Sequence, residues 1–158
     1  MCKVVPVRLC RHRAEHMIAG HVVQQFVAGA TALTGGGLNS NVMRSGEAMK
    51  KKFKLRASDI KPLANGHGGC IATDMITVDG MPVGFMCREE PNNPQDSGWC
   101  FTSGHESQEY MDDAKNHAIY DVNTIANYDP EIIPLLGAPI GSAYERDESG
   151  KFVEIIDD

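Results

Sequence analysis

Residues 98–113 read GWCFTSGHESQEYMDD, and the pattern of this stretch changes in the middle. Residues 99–102 contain aromatic and β-branched side chains that favour an extended strand. Ser103 and Glu106 then have the spacing of a capping box, in which each side chain satisfies a backbone N–H at a helix start. The stretch therefore predicts a strand over residues 99–102, followed by a short helix over residues 104–111.

Patterns on both sides of this stretch predict more short elements. Residues 69–77 and 81–88 are apolar runs joined by Val78-Asp79-Gly80, which is typical of a β-hairpin, and residues 89–98 form a polar loop. Strands are also predicted over residues 52–57, 117–122, 140–146 and 151–156, and helical turns over residues 123–128 and 131–133. We expect an α+β fold: a single domain with an antiparallel or mixed sheet of five to six short strands and two to three short helices.

Length and composition restrict the class of protein further. A chain of 158 residues is long enough for one domain with a core, plus an appendage. The sequence contains no unbroken apolar run of about eighteen residues, so we expect no membrane partner. The five cysteines lack the paired spacings of a disulfide-rich secreted scaffold or a zinc site, which favours reduced thiols in a cytoplasmic protein.

The sequence changes character at Met49. Residues 1–48 combine an Arg- and His-rich start, one weakly apolar stretch over residues 14–33, and the glycine-rich segment TGGGLNSNVMRS. Residues 49–55, MKKKFKL, resemble a native amino terminus that runs into a strand. We therefore expect residues 1–48 to be a leader or an over-long gene start, flexible or containing one helix, and residues 49–158 to form the domain. The alternative is an amphipathic helix over residues 14–33 that docks on the domain or on a partner.

The charges are divided unequally along the chain. Residues 1–60 contain ten Lys or Arg and three acidic residues, whereas residues 61–158 contain five and eighteen. An acidic domain repels phosphates, so we expect no nucleic-acid partner. A basic protein is the favoured partner, because complementary charge accelerates encounter and rejects wrong partners.

The residue patterns give little support to catalysis. The close pair His67 and Cys70 lacks the other ligands of a zinc site, so no metal and no cofactor are predicted. The glycines before Cys70 precede a strand, whereas phosphate-binding glycine loops lead into a helix. The enzymatic alternative is a small hydrolase or ligand-binding domain that uses the loop from Gly66 to Cys70 together with His105.

The acidic stretch supplies the candidate residues for partner binding. It holds the single tryptophan, several carboxylates and no basic residue. Trp99 is interpreted either as a core residue or as an interface anchor surrounded by acidic and aromatic side chains. The candidate partner-binding residues are Trp99, Phe101, Glu106, Glu109, Tyr110, Asp112 and Asp113.

An ordered series of short blocks resembles a known family. The blocks are Gly98-Trp99-x-Phe101-x-x-Gly104-x-Glu106, Glu109-Tyr110, Ile119-Tyr120-Asp121-Val122-Asn123-Thr124, Ile132-Ile133-Pro134-Leu135-Leu136 and Gly141-Ser142-Ala143-Tyr144-Glu145-Arg146. Together they resemble the immunity protein 33 family, over roughly residues 52–146. Members often carry an Arg or an aromatic residue at the position of Cys100 and an acid at that of His105.

The resemblance implies both a fold and a function. It implies an α+β cytoplasmic protein of bacteria that is not an enzyme and that neutralises a polymorphic toxin by binding it. The differences at Cys100 and His105 weaken a catalytic role for those two residues. Combined with the acidic charge, the resemblance leads us to expect a basic toxin domain as the partner.

Overall fold

A computed structural model of the protein describes residues 51–156. The expected leader over residues 1–48 and the possible helix over residues 14–33 lie outside the described residues. Six strands form one sheet: β1 (Gly69–Thr73), β2 (Phe85–Arg88), β3 (Asp96–Thr102), β4 (His117–Asp121), β5 (Ala143–Arg146) and β6 (Phe152–Glu154). The α-helices are α1 (Asp74–Thr77), α2 (Gln108–Asp112) and α3 (Val122–Tyr128), and 3-10 helices span Ala57–Asp59, Ala114–Asn116 and Pro130–Leu135.

The strands lie in the order β4-β1-β3-β2-β5-β6. Strands β1 and β3 are parallel, and the other neighbouring pairs are antiparallel. The prediction of a single α+β domain with a mixed sheet is confirmed. The terminal hairpin is also confirmed, because β5 pairs with β6.

The predicted hairpin around Asp79-Gly80 is wrong. Residues 74–77 leave the sheet as α1, and β3 lies between β1 and β2. The sequence Asp-Gly still ends an element here, since the N–H of Gly80 donates to the carbonyl of Ile76 at 3.1 Å and Gly80 has a positive φ of 76°. A turn signal identifies a change of direction, but not the strand that pairs next.

The predicted strand over residues 52–57 is also wrong. Lys51 binds the carboxylate of Asp74 at 2.8 Å, and the N–H of Lys54 donates to the carbonyl of Thr77 at 2.8 Å. These contacts hold the segment along α1, and it forms no strand. Alternation of Lys with apolar residues here marks a segment on the domain surface, in which Lys52, Phe53 and Lys54 are exposed and Leu55 is partly buried.

The main core lies on the face of the sheet that α1, α3 and the last 3-10 helix cover. Trp99 and Phe101 from β3 pack there with Met86 from β2 and with Ile125 from α3. The rings of Trp99 and Phe101 are stacked with centroids 6.0 Å apart. Because alternate strand residues point to the same face, the alternation along β3 places both aromatic rings in this core.

The opposite face of the sheet carries an apolar row. Strand pairing places Ile119, Ile71, Cys100, Cys87 and Ala143 side by side across five strands, from β4 to β5. We call these five residues the apolar row. Phe85, Cys87 and Ala143 are buried in a second, smaller cluster at its β5 end, whereas Ile119 at the β4 end is 56% exposed.

Within residues 51–156, no helix is long and apolar enough to cross a membrane.

Candidate functional site

The acidic stretch forms a short helical structure after β3. Ser107 caps α2, its side chain accepting a hydrogen bond from the N–H of Tyr110 at 3.1 Å. Asp113 caps the following 3-10 helix by accepting from the N–H of Lys115 at 2.9 Å. The predicted helix therefore exists, but it begins at Gln108 and not at Gly104.

Three carboxylates of this structure face solvent. Glu109, Asp112 and Asp113, which we call the α2 acids, are all exposed. Glu109 and Asp112 are three residues apart and so share one side of the helix. Gln108 donates a hydrogen bond to Asp112 at 2.8 Å. None of the α2 acids forms an ion pair with another residue of the described range, so their charge remains available to an external cation.

Tyr110 lies between these acids and the domain. Its hydroxyl donates to the carbonyl of Asn116 at 3.4 Å, and the Asn116 amide donates back to the Tyr110 carbonyl at 2.9 Å. Burial, followed by the charge of Asp74 and smaller effects of other acids, raises the pKa of Tyr110. Burial is the larger cause, and the charges of nearby acids add to it.

Two of the acids that act on Tyr110 lie outside the acidic stretch of residues 98–113. Asp74 and Asp79 lie far from α2 in the chain, yet both charges act on Tyr110. Asp74 is also paired with Lys51, whereas Asp79 is exposed. The sequence contained no local signal for this proximity, because it depends on how α1 sits relative to α2.

Glu106 has a structural role. One carboxylate oxygen accepts from the hydroxyl of Thr73 at 2.5 Å and from the N–H of Ser103 at 2.7 Å. The second of these contacts is the backward bond that the capping-box spacing predicted. It closes the turn after β3 and ties it to the end of β1. Glu106 is therefore occupied within the domain, unlike the α2 acids.

Trp99 and Phe101 are core residues. They are 2% and 0% exposed, and the indole N–H of Trp99 donates to the carbonyl of Leu136 at 3.3 Å. The guanidinium of Arg88 lies 5.8 Å from the centre of the Trp99 ring. The core interpretation of Trp99 is thus confirmed, and the expectation that these two side chains contact a partner is corrected, since neither reaches the surface.

The residues of the enzymatic alternative are not arranged for nucleophilic catalysis. His67 and His105 are exposed, whereas Cys70 is 1% exposed in the core. Burial raises the pKa of the Cys70 thiol well above its usual value. Because the thiolate is the reactive form, a thiol in this environment is a packed apolar group.

An open cleft lies elsewhere on the domain. It has a volume of about 420 Å³ and is lined by Pro82, Tyr128, Asp129, Pro130, Glu131, Arg146 and Gly150. None of the histidines or cysteines of the enzymatic alternative lines it. Within residues 51–156, no three His, Cys, Asp or Glu side chains are grouped as metal ligands.

The comparison with known families agrees with the fold and the sequence blocks. The family model of the immunity protein Imm33 domain matches residues 70–156, which are more than half of the chain. Comparisons with curated proteins and with solved structures gave no significant match. The matched range begins at the second residue of β1 and extends past β6, so it contains the whole sheet apart from Gly69. The protein belongs to the Imm33 family of immunity proteins.

Proposed function

We propose that the protein is a non-enzymatic cytoplasmic immunity protein that neutralises a toxin by binding a basic surface of it through the α2 acids and Tyr110. The observation that carries this proposal is the exposure of three carboxylates within one helical turn and its cap, without an ion-pair partner in residues 51–156. Family membership indicates that the partner is a toxin. The negative charge of the α2 acids indicates that the toxin surface they contact is positively charged.

The energetics favour a role in recognition over a role in stability. Asp113 caps a 3-10 helix, but the mutual repulsion of the exposed carboxylates opposes folding, since like charges at helical spacing are destabilising. Opposite charges on a partner relieve that repulsion and accelerate encounter. Tyr110 adds a ring beside the charges, a residue type that interfaces favour at their centre.

The partner is identified first. Full-length protein is used as bait in a lysate of the source organism at low and at high salt, and bound proteins are identified by mass spectrometry. We expect one basic protein that is retained at low salt and lost at high salt, because screening weakens exposed charge pairs. Expression of that protein alone should arrest growth, and co-expression of the chain should restore it.

Variants then test the surface. Glu109→Lys with Asp112→Lys reverses two α2 acids, and Glu90→Lys with Glu148→Lys reverses two exposed acids outside α2 that form no hydrogen bond within residues 51–156. The first pair should abolish growth rescue, and the second should retain it. Equal rescue by both pairs would exclude the α2 acids as the binding surface while leaving the immunity function intact.

A further inference from the structure

The loop of residues 64–68, which precedes β1, has both of its ends bonded to the start of α3. The N–H of Ala64 donates to the side-chain oxygen of Asn123 at 2.8 Å, and the carbonyl of Gly68 accepts from the N–H of Val122 at 3.0 Å. Val122 and Asn123 are the first two residues of α3. The two ends of the loop are therefore fixed close together.

Asn65 and Gly66 form an exposed turn between these fixed ends. Gly66 has a φ of 86°, in the left-handed region that glycine adopts readily, and a Cβ placed on it would have no heavy atom within 4 Å. Within residues 51–156, neither the side-chain amide of Asn65 nor the N–H of Gly66 forms a hydrogen bond. Both groups are therefore open to water and unbonded within the described domain.

Asn65 differs in this respect from the other asparagines of residues 51–156. Each of the others uses its side-chain amide group in at least one hydrogen bond; they are Asn92, Asn93, Asn116, Asn123 and Asn127. Asn93 in addition precedes Pro94, which has no N–H. The sequence Asn-Gly and the lack of a bonded amide thus coincide at Asn65.

We propose that Asn65 is a site of spontaneous deamidation, a covalent modification that goes beyond the proposed function and consumes only water. The nitrogen of Gly66 attacks Cγ of Asn65, and a base in solution takes the Gly66 amide proton. The Cγ–Nδ2 bond breaks, and Nδ2 takes up a proton and leaves as ammonia, so that a cyclic imide remains. Water then opens the ring at either carbonyl and gives aspartate or isoaspartate at position 65, with no change of oxidation state.

Two properties of the turn favour ring closure. The Gly66 nitrogen has to rotate toward Cγ of Asn65, and glycine restricts this rotation least because it has no side chain. The Asn65 amide also has no hydrogen bond to break first, whereas each of the other described asparagines has to lose one. The fold therefore protects those asparagines and leaves Asn65 reactive.

Deamidation changes both the charge and the length of the loop. Either product adds a carboxylate to residues 51–156, which already contain nine Lys or Arg and seventeen acids. Isoaspartate also routes the main chain through Cβ, which lengthens it between the ends that are fixed at Ala64 and Gly68. The isoaspartate product therefore has to be accommodated between two bonds to α3.

Peptide mapping of the aged full-length protein tests this inference. The folded protein is incubated in heavy-oxygen water at mildly alkaline pH and digested, and mass spectrometry measures aspartate and isoaspartate at each asparagine. We expect Asn65 to convert at least about tenfold faster than any other asparagine of residues 51–156, because those amides have to break a hydrogen bond first. Both isomers should carry heavy oxygen, since water opens the ring. Asn93 should form no imide, because Pro94 has no N–H.

Two variants and an unfolded sample complete the test. Asn65→Gln should abolish the conversion at position 65, because its longer side chain would have to close a larger ring, whereas the control Asn92→Gln should leave the conversion of Asn65 unchanged. The same incubation in urea should raise the rates of the asparagines that are hydrogen-bonded in the folded protein. Conversion of Asn65 in urea but not in the folded protein would overturn the inference, as would equal conversion of all described asparagines in the folded protein.

Discussion

The Asp129 carboxylate accepts a hydrogen bond from Nη2 of Arg146 at 2.6 Å, and these side chains are only 6% and 15% exposed. The same carboxylate accepts from the N–H of Val83 at 2.9 Å and from that of Glu131 at 3.2 Å. It therefore joins the end of α3 to β5, to the segment before β2 and to the 3-10 helix that follows.

Removal of this carboxylate should destabilise the domain. Asp129→Ala leaves a guanidinium and a buried N–H without their acceptor, and we expect a loss of about 3–5 kcal/mol in the free energy of unfolding. Glu131→Gln is the matched control, because Glu131 binds the same guanidinium but is 68% exposed, and it should cost less than about 1 kcal/mol. Urea unfolding measures both, and similar small losses would contradict a structural role for Asp129.

A glycine in β3 is required by a bulge. Residues 96 and 100 of β3 pair with residues 69 and 71 of β1, so β3 has two extra residues there, and Gly98 has a positive φ of 77°. A Cβ at Gly98 would lie 2.0 Å from the carbonyl oxygen of Glu89. Gly98→Ala should therefore lower the free energy of unfolding by more than about 2 kcal/mol.

Gly137→Ala provides the control for this substitution. A Cβ at Gly137 would have no heavy atom within 4 Å, and Gly137 does not have a positive φ. The substitution should therefore change the free energy of unfolding by no more than about 0.5 kcal/mol. Thermal and urea unfolding of both variants test the requirement. An equal effect of the two substitutions would show that the bulge tolerates a side chain.

Glu106 and Glu109 should behave differently although they lie three residues apart. Glu106→Ala removes the acceptor of two hydrogen bonds at the end of β1 and should cost about 1–3 kcal/mol of stability. Glu109→Ala changes an exposed side chain and should stay within about 0.5 kcal/mol. Comparable losses would mean that Glu109 has a structural contact of its own.

Stability should fall at high pH because of Tyr120. Burial raises the pKa of Tyr120 to about 12, and its hydroxyl pairs with that of Thr77 at 3.1 Å. The unfolded chain releases this proton near pH 10, while the folded chain retains it, so stability decreases as pH rises from about 10 to 12.

Tyr120→Phe tests that cause. Near neutral pH, the substitution should lower the free energy of unfolding by about 1 kcal/mol, because a hydrogen bond is lost. It should also reduce the fall in the free energy of unfolding between pH 10 and 12. Urea unfolding at several pH values gives the slopes, and ultraviolet absorbance of the phenolate follows the titration directly. An unchanged slope in the variant would assign the decline to other groups.

Local signals predicted the elements better than their pairing. The strand before Ser103 and the helix before Asp129-Pro130 were predictable, since residue types and spacing determine them within a few positions. The placement of β3 between β1 and β2 was not predictable, because no local sequence pattern specifies which strand pairs with β1. Likewise, the capping-box spacing predicted the bond of Glu106 to the N–H of Ser103, whereas the bond to Thr73 was not predictable, because it joins residues 33 positions apart in the chain.

The most direct test of the account is the affinity of the captured toxin for the full-length protein, measured by titration calorimetry at two salt concentrations. The Glu109→Lys and Asp112→Lys pair should weaken binding at least about tenfold, equal to about 1.4 kcal/mol, and should flatten the salt dependence. The Glu90→Lys and Glu148→Lys pair should bind like the natural protein. Equal affinity for all three proteins, with the same salt dependence, would contradict recognition through the α2 acids.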